Sequence, residues 1–365
     1  MWWKLFNSFV IMRKIQFLLT FDYELPLGYC TDYQSGLFNP TDKLLECAKT
    51  NDFPIVLFAD ICSAIRFKEW DHAYYTSFRR QIHDALLSGN DVQLHVHPHW
   101  MNSTFSDGQF QPSNDFSLSS FKDHKDISIS YILQTAFDEL TSMARDANRD
   151  YRCVAFRAGG YDVEPASKEI LSELIRMGIF FESSVIKNLF LNNEFSKIDY
   201  RTYPDKSIWA ISPEGPINRE GKGDLLELPI TSMPTTAREL LRRWLKKLSH
   251  QSAYAARRYD NKGGGYHNKV SNVGLKQKLS YILNPLVLSV DKSNYDVDDL
   301  MRIVNYNLKK FREQNEDLIL TLIGHPKSMG EYHRSLLAAF VETLRRTYQD
   351  SVRFVTYRDI QNEFR

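Results

Sequence analysis

The stretch LHVHPHW, residues 94–100, ends an apolar run and places His95, His97 and His99 within five residues. Imidazole is the commonest metal ligand among protein side chains near neutral pH. Packing alone is a poor explanation for so tight a cluster of histidines. We therefore expect the other strands of the chain to bring further polar groups to this point.

Short apolar runs like the one before His95 recur along the chain, and segments with helical periodicity separate them. Such runs, bounded by turn residues, indicate buried strands. The predicted strands are residues 15–21, 54–58, 92–94, 154–156, 180–185, 225–230 and 318–323, with a short one at 353–356. The predicted helices are residues 43–50, 69–88, 128–147, 164–177 and 331–348.

Strands that alternate with helices form parallel βαβ units, and seven or eight such units predict an α/β fold closed into a barrel. Barrels of this kind carry their active sites at the carboxyl ends of the strands. The candidate polar residues of this chain lie at or beside the carboxyl ends of the predicted strands. This shared position is stronger support for an active site than any single motif.

We expect one barrel domain over residues 12–365, preceded by an N-terminal extension at residues 1–11. The extension is apolar with one lysine but has no small-residue cleavage site. A loose membrane-surface anchor is its alternative interpretation, and Met12 is an alternative start. Residues 186–223 and 246–296 are irregular. We interpret both as loop insertions over the carboxyl-end face, either lids or solvated surface loops.

The composition is that of an ordinary globular protein, with 43% hydrophobic and 25% charged residues and a formal net charge of +1. With so small a net charge, no overall electrostatic field favours nucleic acid or a membrane surface as a partner. The chain contains no run of about 18 apolar residues, so we predict no transmembrane helix. The four cysteines are scattered, which favours reduced thiols and a cytoplasmic location. The composition leaves the oligomeric state open.

His95 and His99 lie four residues apart on a strand end that turns at Pro98. Such a bend can aim both imidazoles at one ion, and catalytic zinc sites combine nitrogen and carboxylate ligands with one open position. His97 is then a third ligand, a group supporting the ligands, or a substrate contact. The alternative is that the three are unrelated surface histidines. That explanation is weaker because the cluster lies at the predicted rim of the barrel, where active sites are found.

Asp22 and Glu24 place two carboxylates at the end of the first strand. One can complete a metal site, and the other can accept a proton from water as a general base. Taken alone, the pair is equally explained as acids that cap a neighbouring helix. Beside a metal cluster, we favour the catalytic interpretation.

Arg157 ends the fourth strand before two glycines, where it can hold a carboxylate ionised and oriented, or form a structural ion pair. His325 ends the seventh strand and is the candidate general acid, because histidine can protonate a leaving amine near neutral pH. Its alternative is a buried histidine bonded to the backbone. Glu227 is a candidate to orient His325. The predicted substrate contacts are His97, Trp100, Tyr161 and Glu227.

Together these stretches resemble the motifs of the polysaccharide deacetylases, carbohydrate esterase family 4. TFDYE at 20–24 matches the first motif, usually TFDD, and HVHPH at 95–99 matches the second, H-x-x-x-H. FRAGGY at 156–161 resembles the third, LELP at 226–229 lies where the fourth is expected, and IGHP at 323–326 resembles the fifth. The resemblance spans residues 15–360 in the right order.

The resemblance implies a distorted (β/α) barrel and a metal-dependent deacetylase that removes an acyl group from an amino sugar or glycan. In that family's terms, Asp22 is the base, Arg157 orients it, and His325 is the acid. The implied metal ligands are Glu24, His95 and His99. The implied cofactor is one divalent ion, with zinc ahead of cobalt, nickel or iron, and the implied partner is a carbohydrate.

The chain also departs from the family's motifs. Glu24 stands one position later than the usual metal acid, the third motif lacks R-x-P, and the fourth lacks its aspartate and tryptophan. We therefore expect catalysis to be kept and the substrate pocket to differ. Two alternatives remain: a two-metal amidohydrolase-type enzyme, suggested by H-x-H at 95–97, and a carbohydrate-binding barrel that has lost catalysis.

Overall fold

The structure is a computed structural model that describes residues 14–26, 32–107, 109–192, 196–249, 283–291, 294, 296–313 and 317–364. The predicted extension at residues 1–11 lies outside these ranges. Most of the predicted insertion at residues 246–296 also lies outside them.

Seven strands form the barrel wall, and their order along the chain follows the prediction. They are β1 (Ile15–Tyr23), β2 (Val56–Asp60), β3 (Asp91–Val96), β6 (Ala155–Ala158), β7 (Phe181–Glu182), β11 (Leu226–Glu227) and β14 (Leu318–Gly324). Two of them, β7 and β11, are shorter than predicted. After them the chain continues extended to a single bridge between Ile186 and Ile230.

All hydrogen-bonded neighbours among these seven strands run parallel. The sheet order is β11-β7-β6-β3-β2-β1-β14. Ile230, just after β11, also bridges Thr321 of β14, so the two ends of the curled sheet meet. The fold is the distorted (β/α) barrel that the sequence predicts, and the carboxyl ends of its strands open onto one face.

The remaining strands lie at the edges of the barrel or in its loops. β10 (Trp209–Ala210) pairs with β11, and β15 (Val352–Phe354) pairs with the start of β1. Three antiparallel pairs complete the set: β4 (Thr104–Ser106) with β5 (Gln109–Gln111), β8 (Phe190–Asn192) with β9 (Lys197–Asp199), and β12 (Ser232–Met233) with β13 (Leu286–Val287).

The five predicted helices are all present, with ends within about four residues of the prediction. The described helices are α1 (Asn39–Thr50), α2 (Ile61–Trp70), α3 (His72–Leu87), α4 (Ile129–Ala147), α5 (Ser167–Arg176), α6 (Ala237–Ser249), α7 (Val297–Lys310), α8 (Glu331–Tyr348) and α9 (Tyr357–Phe364). The helices α2, α6, α7 and α9 are absent from the prediction. No described helix is both long enough and apolar enough to cross a membrane.

Local chemistry explains where several helices begin. Asp71 caps α3 by accepting the N–H of Ala73, and Ser128 caps α4 by accepting the N–H of Tyr131. A side-chain oxygen at this position satisfies a backbone donor that has no partner within the helix. Pro40 lies in the first turn of α1, where its missing N–H is harmless.

Alternation along the strands divides the buried side chains into two layers, because successive residues point to opposite faces. Odd-numbered residues of β1, such as Phe17 and Phe21, pack outward against the helices. Leu18 belongs to the interior group, with Phe58 and Leu228. Tyr357, at the start of α9, joins this interior group. Apolar side chains such as Leu18 and Phe58 therefore fill part of the interior, and the polar side chains of Asp22, His95 and Arg157 lie near its carboxyl end.

The outer layer offers a direct test of this packing. Phe340 of α8 is fully buried and meets Phe17 edge-to-face, with ring centroids 6.0 Å apart. We predict that Phe340→Ala lowers the free energy of unfolding by about 3–5 kcal/mol, because it leaves a cavity the size of a ring. Denaturant unfolding measures this loss. The matched control is Phe364→Ala, whose ring is 46% exposed, and equal losses in the two variants would contradict the assigned packing.

Candidate metal centre and active site

The carboxyl ends of four barrel strands bring the predicted polar residues to one place. Asp22 lies at the end of β1, and Glu24 follows it. His95 and Arg157 are the last residues but one of β3 and β6, and His325 follows β14. Asp22 and Glu24 are two residues apart on an extended chain, so both face the interior while Tyr23 points outward to Gln81. The spacing of the two carboxylates therefore follows from the strand period.

Asp22 and Arg157 form a buried ion pair across the barrel interior. Nη1 of Arg157 donates to Oδ1 of Asp22 at 2.6 Å, and both side chains are almost completely buried. Burial alone would raise the pKa of Asp22. The positive charge of Arg157, with His95 and His325, outweighs burial and holds this pKa below its usual range. Asp22 is thus an ionised carboxylate with one oxygen fixed by the guanidinium.

The guanidinium of Arg157 is itself held on several sides. Its Nε donates to the Ser183 carbonyl at 3.0 Å, and its Nη2 donates to Thr20 Oγ1 at 3.0 Å. Phe58 lies beneath it, with 4.0 Å from the guanidinium carbon to the ring centroid. Removing one partner of such a buried pair typically costs about 3–5 kcal/mol. The position of Asp22 is therefore set by a rigid group.

Glu24, His95 and His97 form the group of described residues whose donor atoms all lie within 4.8 Å of one another. Nε2 of His95 is 3.2 Å from Oε2 of Glu24, and Nε2 of His97 lies against the same oxygen. All three side chains are buried. Two imidazole nitrogens and a carboxylate oxygen are a donor set that divalent zinc accepts.

The hydrogen bonds of His95 give a physical reason for a cation at this point. Its Nδ1 lies 2.8 Å from the Arg157 carbonyl, which can only accept, so Nδ1 carries a hydrogen. In the neutral ring Nε2 then directs a lone pair at the Glu24 carboxylate. Two such atoms at 3.2 Å repel each other unless a proton or a metal ion lies between them. The three residues therefore fit a divalent metal ion.

His97 is positioned from two sides. Its backbone N–H donates to Asp60 Oδ1 at 3.1 Å. A Cβ built on Gly159 would come within 2.7 Å of His97 Nδ1 and of the Val96 carbonyl oxygen. Only glycine leaves room for the ring at this distance. Gly159 thus lets the backbone after β6 pass directly against the His97 ring.

The structure does not bring His99 into this group, although the sequence analysis assigned it to the metal. Its ring is buried between Trp100 and Phe116, with centroids 4.9 and 5.1 Å away. Neither ring nitrogen has a hydrogen-bond partner among the described residues. Burial, and then the neighbouring His97, lower the pKa of His99 well below its usual value, so the ring is neutral.

Trp100 and Tyr161 are two further residues predicted to contact the substrate. Trp100 is 1% exposed and donates its indole N–H to Asp60 Oδ2 at 2.7 Å. Tyr161 ends a short turn after β6, is partly buried and packs against the outer core. The structure thus places Trp100 in the core.

His325 is oriented by Asp291, a residue that the sequence analysis did not identify. Nδ1 of His325 lies 2.7 Å from Asp291 Oδ2. Its Nε2 points back to the centre, 3.6 Å from Asp22 Oδ2 and 3.7 Å from Glu24 Oε1. Glu227 was the predicted partner, and the observed carboxylate is Asp291 in its place. Asp291 follows β13, in a segment interpreted as a loop insertion.

Lys327 is a second group that the sequence analysis missed. Its Nζ donates to Glu24 Oε1 at 2.7 Å and to the Leu25 carbonyl at 3.2 Å. Burial alone would raise the pKa of Glu24, but Lys327 and the adjacent histidines lower it well below its usual value. Lys327 follows His325 by two residues in the same turn, which was the signal available in the sequence.

Glu227 lies on the outer side of the barrel wall, beside Glu182 of β7. Its neighbour Leu228 belongs to the interior group, so Glu227 points the other way. Both glutamates are fully buried. Burial, followed by the charge of Glu182, raises the pKa of Glu227 well above its usual value. Burial therefore favours the protonated form of Glu227, whose side chain faces away from the barrel interior.

The buried Glu182–Glu227 pair should make the stability of the protein depend on pH. The folded state holds the Glu227 proton more tightly than the unfolded chain, so stability falls as pH rises above the ordinary value of 4.5. We predict that Glu227→Gln removes this fall, by up to about 1.4 kcal/mol per pH unit between the two pKa values. Urea unfolding at pH 5 and pH 8 measures it. Parallel pH profiles for the variant and the native protein would contradict a raised pKa.

No protein-family model matches the chain, and no curated protein matches it in sequence. Solved structures do match its fold. A protein assigned as a glycoside hydrolase/deacetylase from Parabacteroides distasonis aligns with a TM-score of 0.57 at 11% identity, covering 97% of this chain and 72% of that one. A GH57-type branching enzyme from Pyrococcus horikoshii aligns with a TM-score of 0.51 at 12% identity, covering 97% and 71%.

A protein assigned as a polysaccharide deacetylase from Mycobacterium smegmatis aligns with a TM-score of 0.50 at 12% identity. The alignment covers 96% of this chain and 90% of that one. At identities this low, the similarity shows a common fold and no more. The chain therefore has the same barrel fold as these three proteins, one of which is assigned as a polysaccharide deacetylase.

Proposed function

We propose that the protein is a metal-dependent hydrolase that removes an N-acyl group from an amino sugar or glycan. The observation that carries this proposal is the meeting of three groups at one end of the barrel. These are the Glu24–His95–His97 cluster, the ionised Asp22 and the His325–Asp291 pair. Together they supply a metal site, a base and an acid within a few ångströms.

We propose Glu24, His95 and His97 as the residues that hold the metal, in place of the Glu24, His95 and His99 set that the family resemblance implies. A divalent ion bound there would lower the pKa of a water molecule and polarise an acyl carbonyl. Zinc fits the donor set, as do cobalt, nickel and iron. Among the described residues, neither ring nitrogen of His99 has a hydrogen-bond partner, and its ring lies beside that of His97.

The protein's own residues then carry the proton transfers. Asp22, held ionised by Arg157, accepts a proton from the attacking water at Oδ2, the oxygen that the guanidinium leaves available. The water oxygen bonds to the acyl carbon, and the C–N bond breaks. His325 donates a proton from Nε2 to the departing amine, and Asp291 stabilises the charged ring through Nδ1. The products are a carboxylate and a free amino sugar.

The choice of an N-acylated carbohydrate rests on the family resemblance and on the fold. The motifs at residues 20–24, 95–99 and 323–326 resemble those of the polysaccharide deacetylases. The structural relatives include proteins assigned as a polysaccharide deacetylase and as a glycoside hydrolase/deacetylase. Amide hydrolysis also needs a protonated leaving group, which His325 is placed to provide.

Metal content tests the ligand set. We predict about one divalent ion per chain in the purified protein. This metal content should fall strongly in His97→Gln and stay unchanged in His99→Gln. The two variants make the same change two residues apart, and elemental analysis measures both. Loss of metal from His99→Gln alone would return the ligand role to His99. A stoichiometry near two per chain would instead favour a two-metal amidohydrolase-type enzyme.

Acetate release from a panel of N-acetylated sugars and glycans tests the base. We predict that Asp22→Asn lowers the rate by about 10²- to 10⁴-fold while metal stays bound, because the amide cannot take up the water proton. Asp150→Asn is the matched control and keeps full activity, because this exposed residue precedes the amino end of β6 whereas the site lies at the carboxyl ends. Normal turnover in Asp22→Asn would remove Asp22 from the reaction. Sugar binding without turnover, unaffected by a chelator, would favour a binding protein.

A further inference from the structure

The helix α6 presents its apolar side to solvent and its polar side to the protein. Leu241, Trp244, Leu245 and Leu248 recur at helical spacing and are between 52% and 58% exposed. A helix on a globular protein normally shows the opposite arrangement, with the apolar stripe facing the core. We call these four residues the α6 stripe.

The polar side of α6 is fixed against α7 by ion pairs. Arg242 contacts Asp299 at 2.7 Å and Glu239 at 3.0 Å. Lys246 contacts Asp296 at 2.5 Å and Asp299 at 3.0 Å. Glu239 also pairs with Arg302 of α7. These contacts determine which way the helix faces, so the exposure of the α6 stripe follows from its packing.

The helix is also strongly basic. Its 13 residues include five basic side chains and one acidic one, a net charge of +4, whereas the whole chain carries +1. The rest of the chain therefore carries −3. Arg238 is exposed and lies one turn before Leu241, at the border of the α6 stripe. A leucine and tryptophan stripe edged by positive charge is the pattern of helices that lie on anionic lipid surfaces.

The placement of α6 relates this surface to the candidate site. Its residues 239, 242 and 246 pair in turn with residues 302, 299 and 296 of α7, so the two helices run antiparallel. The end of α6 near Lys246 thus lies beside the start of α7. That start follows Asp291, the partner of His325, by six residues. The α6 stripe and the candidate site therefore approach the same end of the barrel.

We propose that α6 docks the protein on an anionic lipid surface. The α6 stripe enters the boundary between headgroups and acyl chains, and the exposed Arg238 at its border meets the lipid phosphates. The ion pairs with α7 keep the helix attached to the barrel throughout. The inference rests on α6 alone and is independent of the proposed deacetylase activity.

Sedimentation of the full chain with vesicles tests this proposal. We expect binding to phosphatidylcholine vesicles that contain phosphatidylglycerol, weak binding to phosphatidylcholine alone, and loss of binding at high salt. The triple variant Leu241→Gln, Trp244→Gln, Leu245→Gln should bind at least about tenfold more weakly, because three apolar side chains no longer leave water. Leu87→Gln with Tyr131→Gln, also on exposed helical positions, is the matched control and should bind normally.

Trp244 provides a second readout that does not depend on the triple variant. Its fluorescence, isolated by comparison with Trp244→Phe, should shift to shorter wavelength on anionic vesicles. Absence of vesicle binding by the native protein, or equal binding by the triple variant, would overturn the proposal. So would a dimer that the triple variant converts to monomer without any vesicle binding, because a second copy would then cover the α6 stripe.

Discussion

Charge balance inside a low-dielectric barrel is the constraint on which this site depends. The carboxylates of Asp22, Glu24, Asp60 and Asp291 are buried around the candidate site. Arg157 contacts Asp22, and Lys327 contacts Glu24. Burial, the largest effect on Asp60, raises its pKa, so this carboxyl keeps a proton more readily. A metal ion held as proposed by Glu24, His95 and His97 would add positive charge at the same place.

The sequence predicted the barrel well because its strands are short, apolar and separated by strong helical periodicity. It missed α2, which begins directly after Asp60 without a side-chain cap, so no start signal marks it. It also missed α7, although Asp296 caps that helix and two further acids follow in its first turn. That helix begins at Val297, directly after the irregular stretch 246–296, and we interpreted that stretch as a loop without a helix after it.

The site was predictable in its strand-end residues and less so elsewhere. Asp22, Arg157 and His325 are brought together because parallel strands end at a common edge. Asp291 comes from the short segment after β13, far along the chain from His325, and no local pattern connects the two. The choice between His97 and His99 depends on the turn at Pro98 and on the space left by Gly159, neither of which is a property of the histidines themselves.

We propose that Glu24, His95 and His97 hold one metal ion. Diffraction from crystals of the zinc-loaded protein, measured on both sides of the zinc absorption edge, locates that ion. We expect a single anomalous peak bounded by Glu24 Oε2 and the Nε2 atoms of His95 and His97. A peak bonded to His99 with His97 turned away, or no peak between these residues at full zinc loading, would contradict it.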